Sequence, residues 1–176
     1  MIQNNTNEKI NCVIVGTGKI GIDLYIKCQK SKKFNKIQIF NRRKGSEGAK
    51  YCIKKKFNYS SSGIDGVIEN LKDTNIIFDA TSAKSNILIL KKIKKLIKNK
   101  YFINLTPSKN GEYIVPYINK KKIPQIVNLI TCGGQTSIPI ISEVKQILKT
   151  KLKYVELVSS IASKSAGKAT RDNIDE

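Results

Sequence analysis

Short apolar runs alternate with amphipathic stretches along most of this chain, regularly enough to be read as strands and helices. Residues 11–15 make a run the length of a buried strand, followed by a glycine turn and a helix from about residue 20 to 30. A second strand is expected at 36–40, then a helical segment near 48–57, a Ser/Gly turn at 60–63, a short helix through 67–71 and a strongly apolar strand at 76–80. In residues 87–100 the apolar positions fall at 89, 90, 93, 96 and 97, one face of a helix whose other face is filled with lysine. A strand at 101–105 stops at Thr106-Pro107, and after a Gly/Pro-punctuated stretch another strand at 125–131 feeds a second glycine-containing loop. Ile140, Ile141, Val144, Ile147 and Leu148 then recur at helical spacing, with Pro139 tolerated in the first turn, and residues 153–162 read as a last strand. This alternation predicts an α/β fold: a Rossmann-type doubly wound parallel sheet over residues 1–131, followed by the start of a second α/β domain over 132–176.

Composition narrows the chemistry. A chain of 176 residues can bury one sizeable core and begin a second domain. Its formal net charge of +20 would point to nucleic acid, but the lysines are spread along the whole chain and accompany no nucleic-acid-binding motif, so they read as a solvated surface. Four cysteines, at 12, 28, 52 and 132, show no CxxC spacing, and no histidine accompanies them, so no metal site is expected. No signal-peptide pattern opens the chain and no apolar run reaches membrane-spanning length; a cytoplasmic protein with free thiols, and no membrane partner, is expected. The absence of histidine excludes a Ser-His-Asp triad, a Cys-His dyad and a histidine general base within these residues.

Two constellations carry chemistry. Gly16-Thr17-Gly18-Lys19-Ile20-Gly21 lies between the first strand and the first helix, where Gly16 would make the tight turn, Gly18 would let backbone approach a pyrophosphate, and Gly21 would let the helix pack closely. An acidic residue is expected at the end of the second strand to bind the ribose 2′-hydroxyl; Asn41-Arg42-Arg43-Lys44 stands there instead, which leaves NADP open beside NAD. The other constellation is Cys132, which ends a strand at the carboxyl edge of the predicted sheet and is followed by Gly133 and Gly134. Amides of Gly133, Gly134 or the helix beyond favour a thiolate there and would hold a developing oxyanion. Cys12, Cys28 and Cys52 fall inside predicted elements and read as packing residues.

These residues resemble the acetylating acetaldehyde dehydrogenases associated with 4-hydroxy-2-oxovalerate aldolase in aromatic-degradation pathways. The similarity includes Val13-Ile14-Val15-Gly16-Thr17-Gly18-Lys19-Ile20-Gly21-Ile22-Asp23-Leu24, Ile76-Ile77-Phe78-Asp79-Ala80-Thr81-Ser82-Ala83 and Asn104-Leu105-Thr106-Pro107. It is most specific at Thr131-Cys132-Gly133-Gly134-Gln135-Thr136-Ser137-Ile138-Pro139 and in residues 160–167. The resemblance implies conversion of acetaldehyde, NAD and coenzyme A to acetyl-CoA and NADH, with Cys132 as the thioester-forming residue. It implies an NAD site that includes Thr17, Lys19 and Ile20, and a second contacting loop at Ser163, Lys164, Ser165, Ala166, Gly167, Lys168, Ala169, Thr170 and Arg171, where Lys168-Ala169 replaces the family's Pro-Gly. It further implies a homo-oligomer, an aldolase partner, and a carboxylate beyond Glu176 that activates the cysteine, so that the chain looks like an N-terminal half. Alternatives are a non-catalytic dinucleotide- or partner-binding remnant and a phosphorylating semialdehyde dehydrogenase-like enzyme.

Overall fold

In a computed structural model, residues 9–106, 108–118, 123–129, 131–149, 152–160 and 162 are described. The elements in chain order are β1 (Ile10–Val15), α1 (Lys19–Lys30), β2 (Phe34–Phe40), α2 (Glu47–Lys54), β3 (Tyr59–Ser60), α3 (Gly63–Glu69), β4 (Ile76–Asp79), α4 (Ala83–Ile93), β5 (Tyr101–Asn104), β6 (Glu112–Ile114), β7 (Ile126–Leu129) and α5 (Cys132–Leu148). The strands form one sheet in the order β3-β2-β1-β4-β5-β7-β6, and every pairing is parallel. The chain therefore winds outward from β1 in both directions, and the strand order switches between β1 and β4.

Alternation along each strand sends neighbouring side chains to opposite faces, and two apolar layers result. Val13, Val15, Phe40, Ile77 and Phe102 meet Val67 of α3 and Ile89, Leu90 and Ile93 of α4. On the other face Ile14 and Ile39 meet Tyr25 of α1 and Cys52 of α2, with Phe57 stacked on Tyr25 at 4.3 Å between ring centroids. The doubly wound α/β architecture is thus the one the alternation of elements dictates.

Several boundaries depart from the pattern, each for a local reason. The helix expected through residue 98 ends at Ile93, and a tight turn carries the chain on so that Ile97 is buried while Leu96 faces solvent. The helix near 48–57 stops at Lys54, because Lys56 enters the left-handed region at φ 54°. The expected helix at 67–71 starts earlier, at Gly63, and is followed by a 3-10 turn at Leu71–Asp73. Strands β3 and β6 have two and three residues, and β6 carries the exposed Glu112 and Tyr113 at the sheet's edge, so neither makes an apolar run. Of the last strand expected at 153–162, residues 153–160 and 162 adopt no regular element, and no strand among the described residues pairs with them.

Helix α5 differs from the other helices. Of its 17 residues only Ser137 is buried, and Ile140, Val144 and Ile147 are exposed. No helix among the described residues is long and apolar enough to cross a membrane.

Ile77 sits at the centre of the larger core with no exposure, so Ile77→Val should cost about 1 kcal/mol, read as a shifted urea midpoint with an unchanged slope.

Candidate active site

The site assembles along the carboxyl edge of the sheet. At the end of β1, Gly16 adopts φ +109°, and a Cβ there would lie 2.7 Å from the Ala80 carbonyl oxygen, so both the dihedral and the space demand glycine. Gly21 faces back onto the same turn, where a Cβ would come within 2.0 Å of the Gly16 carbonyl oxygen. Gly18, the N-cap of α1, is the opposite case: nothing lies within 4 Å of the position its Cβ would occupy, and its φ of −71° suits any residue. The turn is therefore closed beneath and open above the helix N-terminus, the geometry that lets a phosphate approach backbone N–H groups. Thr17 is buried in it, and Lys19 and Ile20 point outward from the first turn of α1.

At the end of β2, Asn41 replaces the acidic residue. Its Nδ2 donates to the Arg43 carbonyl at 3.1 Å and to Ser46 Oγ at 2.9 Å, while its Oδ1 accepts from the Arg42 N–H at 2.9 Å. Ser46 in turn caps α2 by accepting from the Ala49 N–H.

Beyond β1, three polar side chains close three successive strands in register: Asp79 on β4, Asn104 on β5 and Asn128 on β7. Their exposures are 0%, 0% and 1%. Asp79 Oδ1 accepts from the Thr81 N–H at 2.9 Å and the Thr81 hydroxyl at 2.6 Å, and Oδ2 accepts from Asn86 Nδ2 at 2.5 Å. Asn86 Oδ1 accepts from the Ser108 hydroxyl and from Asn110, both at 2.9 Å, and Asn104 and Asn128 each donate to Ser108. The Thr106 hydroxyl donates to the Thr81 carbonyl at 2.9 Å, tying the β4 and β5 loops together. Burial pushes the Asp79 carboxyl up from its ordinary 3.8, against the opposing pull of the Thr81 and Asn86 hydrogen bonds. Asn128 Oδ1 is buried without a partner among the described residues. Sequence reasoning missed this array as a unit. Its signal was a polar residue ending two apolar runs, at Asp79 and Asn104, and one set inside a third, at Asn128; the first two lie in motifs quoted for the family resemblance.

Cys132 is the first residue of α5 and is exposed, whereas Cys12, Cys28 and Cys52 are buried. The Cys12 thiol is pushed up by its hydrogen bond with Cys28 and by burial, and Cys52 by burial, so these two are poor nucleophiles as well as inaccessible ones, whereas Cys28, pulled down by the same hydrogen bond, is withheld by burial alone. Thr131 caps α5 by accepting from the Gly134 N–H at 3.3 Å, and its carbonyl accepts from Gln135. The Gly134 amide is therefore committed to the cap, and Cys132 and Gly133 supply the helix's first N–H groups. Gln135 Nε2 donates to the Ile114 carbonyl at 2.9 Å, anchoring the helix to the sheet edge.

The structure thus brings residues 16–21 and Cys132 to one edge of the sheet but separates them by three strand steps, roughly 14 Å at about 4.8 Å per step. Residues 163–171, expected to form a second cofactor loop, lie outside the described residues. No group of His, Cys, Asp and Glu among the described residues could hold a metal ion.

Fold and edge geometry define a Rossmann-type doubly wound unit. Residues 2–126 match the family described as shikimate / quinate 5-dehydrogenase, and residues 132–176 match prokaryotic acetaldehyde dehydrogenase, dimerisation. An acetaldehyde dehydrogenase of Pectobacterium atrosepticum is 36% identical over 98% of this chain, and one of Burkholderia thailandensis is 40% identical over 98%. The chain spans 58% of the length of each of these relatives. Among solved structures, aspartate semialdehyde dehydrogenase II of Vibrio cholerae superposes with a TM-score of 0.58 at 10% identity, over 79% of this chain and 47% of that one, a likeness of fold. The chain belongs by its residues 2–126 to the family described as shikimate / quinate 5-dehydrogenase, and over nearly its whole length it is similar to acetaldehyde dehydrogenases.

The glycine turn and the buried array can be probed separately. Gly18→Val should leave thermal unfolding nearly unchanged and abolish dinucleotide binding in calorimetry, because the space it fills is open only for a ligand. For Asp79, a folded-state pKa above 3.8 means that the folded protein binds more protons than the unfolded chain between the two values. Its contribution is complete below pH 3.8 and is lost as pH rises through the elevated folded value. The Tm of the parent minus that of Asp79→Asn should accordingly rise on acidification through that window; a difference independent of pH would show that the group does not titrate as described.

Proposed function

We propose that this chain carries the dinucleotide site and the nucleophile of a CoA-acylating aldehyde dehydrogenase, using Cys132 as the covalent residue. The single observation that carries the reading is that Cys132 alone among the four cysteines is exposed, at the N-terminus of a 17-residue helix on the sheet edge that also bears the glycine turn. Residues 1–131 make the dinucleotide-binding domain and residues 132–176 begin the catalytic and dimerisation domain.

The chemistry uses the groups present. The Cys132 thiolate adds to the carbonyl carbon of acetaldehyde, forming a C–S bond while the carbonyl electrons move onto oxygen. The Cys132 and Gly133 N–H groups at the head of α5 are the donors placed to hold that oxyanion. A nicotinamide dinucleotide held at residues 16–21 would supply the acceptor for the hydride that leaves the carbon as the carbonyl reforms, NAD being the form implied by the family resemblance. Coenzyme A sulfur then attacks the resulting Cys132 thioester, and acetyl-CoA departs as the cysteine thiolate is regenerated. The chain has no histidine to take the thiol proton, which fits activation by a helix N-terminus with a carboxylate supplied from beyond residue 176. The match of residues 132–176 to a dimerisation family and the exposed apolar face of α5 support self-association. An aldolase partner rests on the resemblance alone.

Iodoacetamide labelling followed by peptide mapping tests the assignment. Cys132 should be alkylated at least about tenfold faster than the buried cysteines in the folded protein. Preferential labelling of Cys12, Cys28 or Cys52 would refute it. In a version extended to full family length, Cys132→Ser should abolish CoA-dependent acetaldehyde oxidation while leaving dinucleotide affinity within about twofold, and retained turnover would remove the cysteine from the mechanism.

A further inference from the structure

The turn after β2 is where a Rossmann unit distinguishes its two dinucleotides. An acidic side chain about 20 residues beyond the last glycine accepts from the ribose 2′-hydroxyl and repels a 2′-phosphate, whereas an arginine nearby accommodates the phosphate. Asn41 lies 20 positions after Gly21 and directly after β2, so it occupies that place in both sequence and fold. It cannot act as the carboxylate does. The side chain is neutral, and both of its ends are engaged in the turn itself, with Arg42, Arg43 and Ser46 as partners.

The next three residues are all cationic. Arg42, Arg43 and Lys44 are exposed, and no ion pair or side-chain hydrogen bond engages either guanidinium among the described residues. Glu47, the first acid after them, forms no ion pair with either. Arg42 is also positioned: a Cβ on Gly63, which adopts φ +61°, would lie 3.5 Å from Arg42 Cβ and 3.7 Å from its Cα, so the arginine packs over bare backbone at the start of α3. Behind the turn, Gly48 presses on the Thr17 carbonyl, where a Cβ would approach to 1.8 Å, so the basic turn is joined directly to the glycine turn.

We propose that the β2–α2 turn is a 2′-phosphate subsite with Arg42 and Arg43 as its ligands, so that this chain takes a 2′-phosphorylated dinucleotide in preference to NAD. The inference rests on the reading of residues 16–21 as a dinucleotide site. It departs from the NAD expected by resemblance because the carboxylate that enforces NAD is missing and cations stand in its place. Two guanidiniums can supply paired N–H donors to phosphate oxygens, and no acid in the turn opposes them.

Equilibrium titration of the whole chain with NADP+ and NAD+, and with 2′,5′-ADP and 5′-ADP, tests this without turnover. NADP+ should bind about tenfold tighter than NAD+, and 2′,5′-ADP tighter than 5′-ADP by a similar factor. Arg42→Ala with Arg43→Ala should erase both preferences and leave NAD+ affinity unchanged. Lys91→Ala, an exposed charge on α4, should leave the preferences as they were, which separates a subsite from the general attraction of a basic surface. Tighter binding of NAD+ than NADP+, or an equal loss for both in the arginine variant, would overturn the proposal while leaving the dinucleotide site standing. Failure of all four ligands to bind would overturn the dinucleotide site itself, and this subsite with it.

Discussion

A carboxylate buried at the end of a central strand costs several kcal/mol unless its lone pairs are met, and Asp79 is fully buried between β1 and β5. Three donors converge on it, from the Thr81 amide, the Thr81 hydroxyl and Asn86. Meeting that need fixes the first turn after β4, because the Thr81 backbone must fold back to donate. Ala80 and Thr81 are in turn the surface on which Gly16 rests. The same array extends through Ser108 to Asn104 and Asn128, the latter four residues before Cys132. The polar row therefore sets the depth of the glycine turn on one side and the exit of β7 towards Cys132 on the other. Partial loss of such a network is worse than its absence, since each orphaned member stays buried.

Much of this was legible from the residues. Strands β1, β2, β4, β5 and β7 announce themselves as β-branched or aromatic runs bounded by Gly, Asn or Pro, and their doubly wound arrangement is dictated by the helices intervening between most of them. The glycine turn was legible because its spacing carries steric meaning, and Gly16 and Gly21 meet it. Cys132 was singled out by its neighbours, and the other thiols by lying inside apolar elements. The features that stayed hidden depend on contacts distant in sequence. Asp79, Asn86 and Ser108 are separated by up to 29 positions, and nothing local says that they meet. Edge strands β3 and β6 owe their existence to pairing rather than to pattern, and residues 153–160 show the converse, an apolar pattern with no strand beside it among the described residues. The commitment of the Gly134 amide to the Thr131 cap was likewise invisible until the helix start was placed.

Helix α5 and the segment after it invert the usual distribution of apolar residues. Ile147 is 77% and Val158 87% exposed, while Ile140 and Val144 face Val155 and Leu157 across an apolar groove. Such a face is costly in water and gains most when covered. It lies on the same helix that begins at Cys132, so whatever covers it also bears on how that helix is held.

The contact between Gly48 and the Thr17 carbonyl joins the turn after β2 to the glycine turn after β1. No side chain of the exposed loop at 42–45 takes part in it, so a dinucleotide held as proposed would meet specificity contacts that can change apart from that joint, while Gly48 itself has no room for even a methyl group.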